Sequence, residues 1–176
     1  NPDDPAFREL LIRWFEYGTF CPVMRLHGDR EPHKPPMGSE GGAACVSGAD
    51  NEVWSFGDEA YEILCGYLVL REKMKPYITE LMKAAHEKGT PVMRPLFYDM
   101  PDDPKAWEVE DQYMFGPDVL VAPILFEGAR SREVYLPAGT EWTNYWTGEK
   151  VAGGQTITAD APLAQIPLFT RNGREF

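Results

Sequence analysis

Cysteine and histidine are scarce in this sequence, three of each among 176 residues, and each shortage closes off a class of function. Cys21, Cys45 and Cys65 are odd in number and lack the spacing of a zinc site or a disulfide framework, so reduced, buried thiols in a cytoplasmic protein are expected. Three histidines supply few of the ligands that zinc prefers, and no metal or other cofactor is expected. Positive charge is also short, with 17 Lys and Arg against 28 Asp and Glu and a formal net charge of −11. Without a basic block or a basic-aromatic stripe, neither nucleic acid nor an anionic membrane is an expected partner. No apolar run approaches the roughly 18 residues of a membrane span, and no signal-peptide succession opens the chain. Its start at Asn1 rather than methionine suggests a cut or processed chain.

What is present is enough apolar residue, 43%, to bury a core, and a chain with two characters. Over the first half, helical periodicity dominates. Phe7, Leu10, Leu11, Trp14 and Phe15 recur at helical spacing, Asp4 and Pro5 suit an N-cap and first turn, and Gly18 suits an end, which predicts a helix over about 5–17. A second helical pattern starts after Ser55 to Asp58, with an apolar face at Tyr61, Leu64, Cys65 and Leu68, and runs to Gly89. Pro76 predicts a kink or break near Lys73. This long helix is expected to be mostly buried.

After Gly89 the pattern turns to short strands separated by PDDP, GPD, EGA, PAG, TGE and DAP turns. The expected strands are Pro91–Tyr98, Gln112–Phe115, Val119–Leu125, Arg132–Leu136, Glu141–Tyr145, Gln155–Ala159 and Gln165–Arg171. Seven short strands in about 85 residues is the pattern of a β-sandwich. A domain boundary is therefore expected near Gly89.

Between the two helical patterns lies FCPVMRLHGDREPH, Phe20 to His33. Val23, Met24 and Leu26 read as a buried strand, and the side-chain period of two places Arg25 and His27 on one face at its end. Residues 28–50 then lose all periodicity and accumulate proline and glycine, as functional or mobile loops do. Arg25 and His27 are suited to donating hydrogen bonds to sugar or carboxylate oxygens. The structural alternative is a core histidine with an Arg25 ion pair to Asp29 or Glu31, and residue chemistry alone leaves both open. His27, Asp29, Glu31 and His33 would line one strand face as a metal set, but Gly28 and Pro32 interrupt the strand. No serine sits in a G-x-S-x-G elbow, and Asp99, Asp102 and Asp103 in YDMPDDP read as turn caps. A lone strand between two helices also leaves both of its edges unpaired, so residues 1–89 are expected to dock onto the strand-rich half or onto polypeptide beyond these 176 residues.

RWFEYGTFCPVMRLHG, LREKMKPYI, GTPVMRPLFYDMPDD, DQYMFGPDVLVAPIL and YLPAGTEWTNYWTG, in this order, resemble glycoside hydrolase family 31, the α-glucosidases and α-xylosidases. The resemblance covers about Phe7 to Gly173. It implies α/β plus all-β architecture: residues 1–89 as the C-terminal end of a (β/α)8 TIM barrel, with strand eight ending at RLHG, and residues 90–176 as the proximal C-terminal β-sandwich. A whole barrel takes about 250 residues, and barrel sites lie at the C-terminal ends of strands. The family implies a retaining mechanism with two aspartates, whose motifs this chain lacks, so the chain by itself is expected to be inactive. Of the family's substrate-binding residues, His27 matches the histidine that contacts sugar hydroxyls in the −1 subsite, and Arg25 lies in the same motif. Implied partners are an α-linked glucosyl or xylosyl substrate and the rest of the barrel. A non-catalytic carbohydrate-binding sandwich, using Trp142, Tyr145 and Trp146, is the alternative.

Overall fold

The computed structural model describes residues 1–176 and shows three layers: helices, a six-stranded sheet and a two-stranded sheet. The first helix, α1 (Pro5–Thr19), opens with Asp4 accepting a hydrogen bond from the Ala6 amide at 3.0 Å and Pro5 at the first helical position, where a missing amide proton costs nothing. It runs one residue past Gly18. Its buried face is Ile12, Phe15 and Thr19, whereas Leu10 and Trp14, expected inside, are 55% and 64% exposed. The apolar surface of α1 is wider than the contact it makes in this chain.

The long second pattern is two helices, α2 (Asp58–Lys73) and α3 (Lys75–Lys88), hinged at Met74. Pro76, lacking an amide proton, falls in the first turn of α3, so the break comes where the sequence predicts it. Ser55 does not cap α2. Gly57 precedes it with φ 88°, and the Ser55 hydroxyl hydrogen-bonds instead to Glu52. Nor is α2 mostly buried: Ala60, Leu64, Tyr67 and Leu70 face the core, while Tyr61, Leu68 and Val69 are exposed. Gly89 closes α3 in the left-handed conformation, its amide bonded to the Ala85 carbonyl.

Eight strands follow: β1 (Met93–Arg94), β2 (Tyr113–Phe115), β3 (Val119–Val121), β4 (Ser131–Leu136), β5 (Glu141–Asn144), β6 (Lys150–Ala152), β7 (Gln155–Asp160) and β8 (Leu168–Thr170). The main sheet runs β1-β2-β3-β8-β5-β6, all antiparallel, and β4 pairs with β7 from Ser131↔Asp160 to Leu136↔Gln155. Two expectations are corrected. Pro91–Tyr98 contains only the two-residue β1, because residues after Pro95 turn into a short helix, α4 (Leu96–Asp99), and β6 is a strand the sequence does not announce.

Strand periodicity sorts the main sheet's side chains onto two cores. Phe115, Val119, Val121 and Leu168 point to the helices and join Ile12, Phe15, Leu64, Tyr67 and Tyr77. Met114, Leu120 and Phe169 point the other way, to Trp142, Val134, Leu136 and α4. The tight turn at Gly116, φ 65°, sits under α3. A Cβ there would lie 2.3 Å from the Tyr77 hydroxyl, which bonds the Phe115 carbonyl and accepts from the Asp118 amide.

Polar groups fasten the helical layer as firmly as apolar ones. Arg13, buried in α1, donates to the carbonyls of Ala129, Ala161, Pro162 and Gln165 and to Glu16 at 2.9 Å. The Tyr67 hydroxyl contacts Glu16 at 3.0 Å and accepts from the Ile166 amide. Desolvation pushes the Glu16 carboxyl up to about 7, against the pull of Arg13 and Tyr67.

The buried strand expected at Val23–His27 does not form. The segment has no ladder partner, Val23 is 79% exposed, and only Met24 turns toward the core. A strand needs a neighbour on at least one edge, and every strand of this chain lies in the two sheets beyond residue 92.

Candidate functional site

The segment that carries Arg25 and His27 is held at its root and free at its tip. Arg71 of α2 donates to the carbonyls of Thr19 and Cys21, both at 2.6 Å, and of Pro22 at 3.1 Å. The Tyr113 hydroxyl donates to the Phe20 carbonyl at 2.9 Å. The Cys21 thiol lies 3.4 Å from the Tyr17 carbonyl, and burial pushes its pKa up, which keeps it an unreactive thiol. From this anchored base the backbone runs outward through Val23 and Leu26.

At the tip, Arg25 and His27 come together as the sequence places them. The guanidinium Nη2 is 3.4 Å from His27 Nδ1, both side chains being exposed. A guanidinium only donates, so in this pairing Nδ1 accepts and Nε2 carries the proton of the neutral ring as a free donor. Arg25 also borders an apolar groove of about 270 Å³ shared with Leu11, Trp14, Tyr17, Met24 and Leu26. The arrangement offers hydrogen-bond donors beside an apolar wall, which suits hydroxyl-bearing ligands.

The structural alternative for Arg25 is overturned, because Asp29 and Glu31 are engaged elsewhere. His33 Nε2 lies 3.1 Å from Asp29 and its Nδ1 3.4 Å from Glu31. Of the alternating set, Asp29, Glu31 and His33 thus pair among themselves, and His27 stands apart from them beside Arg25. The loop beyond closes on itself: Arg30 bonds the Asp50 carbonyl, Lys34 pairs with Asp50, and Lys34 and Ser47 exchange backbone hydrogen bonds. Gly48 is needed where the two ends meet, since a Cβ there would be 2.9 Å from the Asp29 Cα and the Arg30 nitrogen. Arg71, Asn51 beside Gly28, and Gly48 position the segment, yet nothing in the local pattern singles them out.

Three further carboxylates are structural. Asp99 pairs with Arg94 at 2.8 Å, and Asp118 accepts from Arg174 and Asn172. Burial raises the Asp103 carboxyl, but bonds from the Ala138 amide, the Tyr135 hydroxyl and the Lys105 and Ala106 amides outweigh it and hold it below the usual range. No two of these face each other across a groove as an acid and a nucleophile. Of the aromatics considered for sugar stacking, Trp142 is fully buried with its indole NH on the Pro137 carbonyl, and Trp146 is half-buried against Tyr67.

Two family profiles match the chain, one described as the glycosyl hydrolases family 31 TIM-barrel domain over residues 2–81 and the other as the glycosyl hydrolase family 31 C-terminal domain over residues 89–174. An α-xylosidase of Saccharolobus solfataricus is 37% identical over 98% of the chain, and an alpha-glucosidase 2 of Bacillus thermoamyloliquefaciens is 37% identical over 94%. The chain spans about a fifth of the length of these relatives, 21% and 19%. The crystal structure of a family 31 α-xylosidase from a soil metagenome, complexed with xylose, superposes with a TM-score of 0.91 at 53% identity, covering 98% of this chain and 26% of that one. Sequence, profile and backbone thus agree over nearly every residue, and the chain belongs to glycoside hydrolase family 31.

Proposed function

We propose that this chain works as part of a retaining α-glycosidase that removes terminal α-linked xylosyl or glucosyl residues, with α-xylosides the first substrates to test. The observation that carries this is the 53% identity and 0.91 TM-score with an α-xylosidase complexed with xylose. In this assignment residues 1–89 are the C-terminal end of the (β/α)8 barrel and residues 90–176 the proximal β-sandwich. The two profile matches, 2–81 and 89–174, and the two sheets facing each other across the Met114/Trp142 core support it. Val23–His27 becomes strand eight when barrel neighbours supply its edges, which accounts for an apolar segment left extended and exposed in this chain. The three unpaired thiols fit a reducing compartment, the cytoplasm.

The chain's own contribution is binding. His27 Nε2 donates to a hydroxyl of the sugar at the bond to be cleaved, and Arg25 fixes the ring by its contact with Nδ1. The acid and nucleophile of a retaining pair sit about 5–5.5 Å apart and must be free to react, whereas Asp29, Asp99 and Asp103 are taken up in ion pairs and hydrogen bonds within the chain. The 176-residue chain alone is therefore expected to give no turnover of an aryl α-xyloside or α-glucoside. In the parent enzyme, His27→Ala is expected to lower kcat/KM by about 1–3 kcal/mol, roughly 5- to 150-fold, because a sugar hydroxyl loses its partner in a dry site. Robust turnover by the chain alone, or an unchanged kcat/KM in the variant, overturns the assignment.

A further inference from the structure

At the flank where the two sheets meet, a cleft of about 460 Å³ opens between β5, β6 and β8 on one side and β7 on the other. Its volume falls in the range of about 300–1,000 Å³ typical of small-ligand pockets. It shares no residue with the groove beside Arg25. Phe169, Ile157 and the half-buried Trp146 give it an apolar side, with the Trp146 indole held by its bond to the Ile166 carbonyl at 2.7 Å.

The polar side is a set of planar groups without protein partners. The Glu149 and Asp160 carboxylates and the Gln165 side-chain amide make no hydrogen bond or ion pair. Asn144 uses its oxygen on the Trp146 and Thr147 amides and keeps its NH2 free. Arg130, the cation on the rim, is taken by Glu9 at 2.6 Å. Three ligand classes fit this lining poorly. Anions are repelled, because two carboxylates are free and the guanidinium is not. No three carboxylate, His or Cys side chains gather to hold a metal ion. A purely apolar ligand would strip water from four polar groups and return nothing. A neutral polyol satisfies both sides, since vicinal hydroxyls donate to carboxylates and accept from amides while the ring's C–H face lies on the indole.

We propose that this cleft binds one neutral sugar residue of an oligosaccharide through Glu149, Asp160, Gln165 and Asn144, with Trp146 as its apolar wall. The site does not depend on the glycosidase assignment, and turnover is not its readout. The test is isothermal titration of the chain with D-xylose and with isomaltose, in the wild type, in His27→Ala and in the Asp160→Ala/Gln165→Ala double variant. Saturable binding is expected to persist in His27→Ala and to weaken at least about tenfold in the double variant. The two replaced side chains make no hydrogen bond or ion pair within the chain, so the fold is expected to survive. If the double variant melts early, Glu149→Ala supplies the same comparison from another part of the cleft. Absence of saturable binding with both sugars, undiminished binding in the cleft variants, or loss of binding in His27→Ala overturns the proposal.

Discussion

Glu16 is the residue whose environment contradicts its chemistry most. A carboxyl in the helical core is desolvated, and burial raises it from 4.5 to about 7 even with Arg13 at 2.9 Å and the Tyr67 hydroxyl at 3.0 Å. Between pH 4.5 and 7 the folded chain then holds a proton that the unfolded chain has released. Stability contributed by this group is full below pH 4.5 and is lost as pH rises through 7. Glu16→Gln removes the titration while keeping the shape. Tyr67 can turn its proton to the Ala164 carbonyl, 3.1 Å away, and accept from the new amide. Thermal melts at pH 5, 6, 7 and 8 are expected to show wild type losing ground to the variant up to about pH 7, with a constant gap beyond. Parallel curves would mean that Glu16 is ionised throughout and that Arg13, not desolvation, governs it.

Among elements, the segment from Phe20 to Asp50 shows how far local pattern reaches. Its residue chemistry is legible: Arg25 and His27 stand together, and the loop charges pair with one another. Its secondary structure is not, because an apolar run becomes a strand only when another strand offers an edge, and that information lies outside the run. The same limit hides β6, three residues recognisable only by their pairing with Glu141–Thr143 on β5. Helices are better marked, since caps, prolines and 3.6-residue spacing are local: Asp4, the Met74 hinge and Gly89 all act where the sequence puts them. Arg71 belongs to the illegible class, a single helical residue that determines where a segment fifty positions earlier starts. Arg71→Met keeps its packing volume and deletes three bonds to carbonyls, so it is expected to cost about 2 kcal/mol and lower Tm by roughly 4–8 °C. Amide exchange of Phe20 and Cys21, whose NH groups bond the Tyr17 and Gly18 carbonyls, is expected to quicken while β3 and β8 stay protected. Unchanged exchange there would assign the anchoring to Met24 and Tyr113 instead.

At the scale of the whole molecule, the change of pattern at Gly89 marks a change of secondary structure, and one apolar core runs across it. The main sheet is apolar on both faces. Phe115, Val119, Val121 and Leu168 have no partners within residues 90–176 that could replace α1, α2 and α3 on that face. Uncovering a large apolar side chain costs about 1.5–3 kcal/mol, so four of them amount to roughly 6–12 kcal/mol, about the 5–15 kcal/mol by which a whole domain is stable. The loss goes further, because the carbonyls of Ala129, Ala161, Pro162 and Gln165 give up the Arg13 guanidinium, and the Ile166 amide gives up Tyr67. A chain of residues 90–176 alone is therefore expected to lack a cooperative melt, to bind a hydrophobic dye and to show collapsed amide dispersion, while residues 1–176 melt as one transition. A truncated chain that melts cooperatively within a few degrees of the intact one would show that the β4–β7 sheet and the Trp142 core suffice. The helices would then be passengers on the sheet, and the Arg13 and Tyr67 bonds would orient them without holding the sheet together.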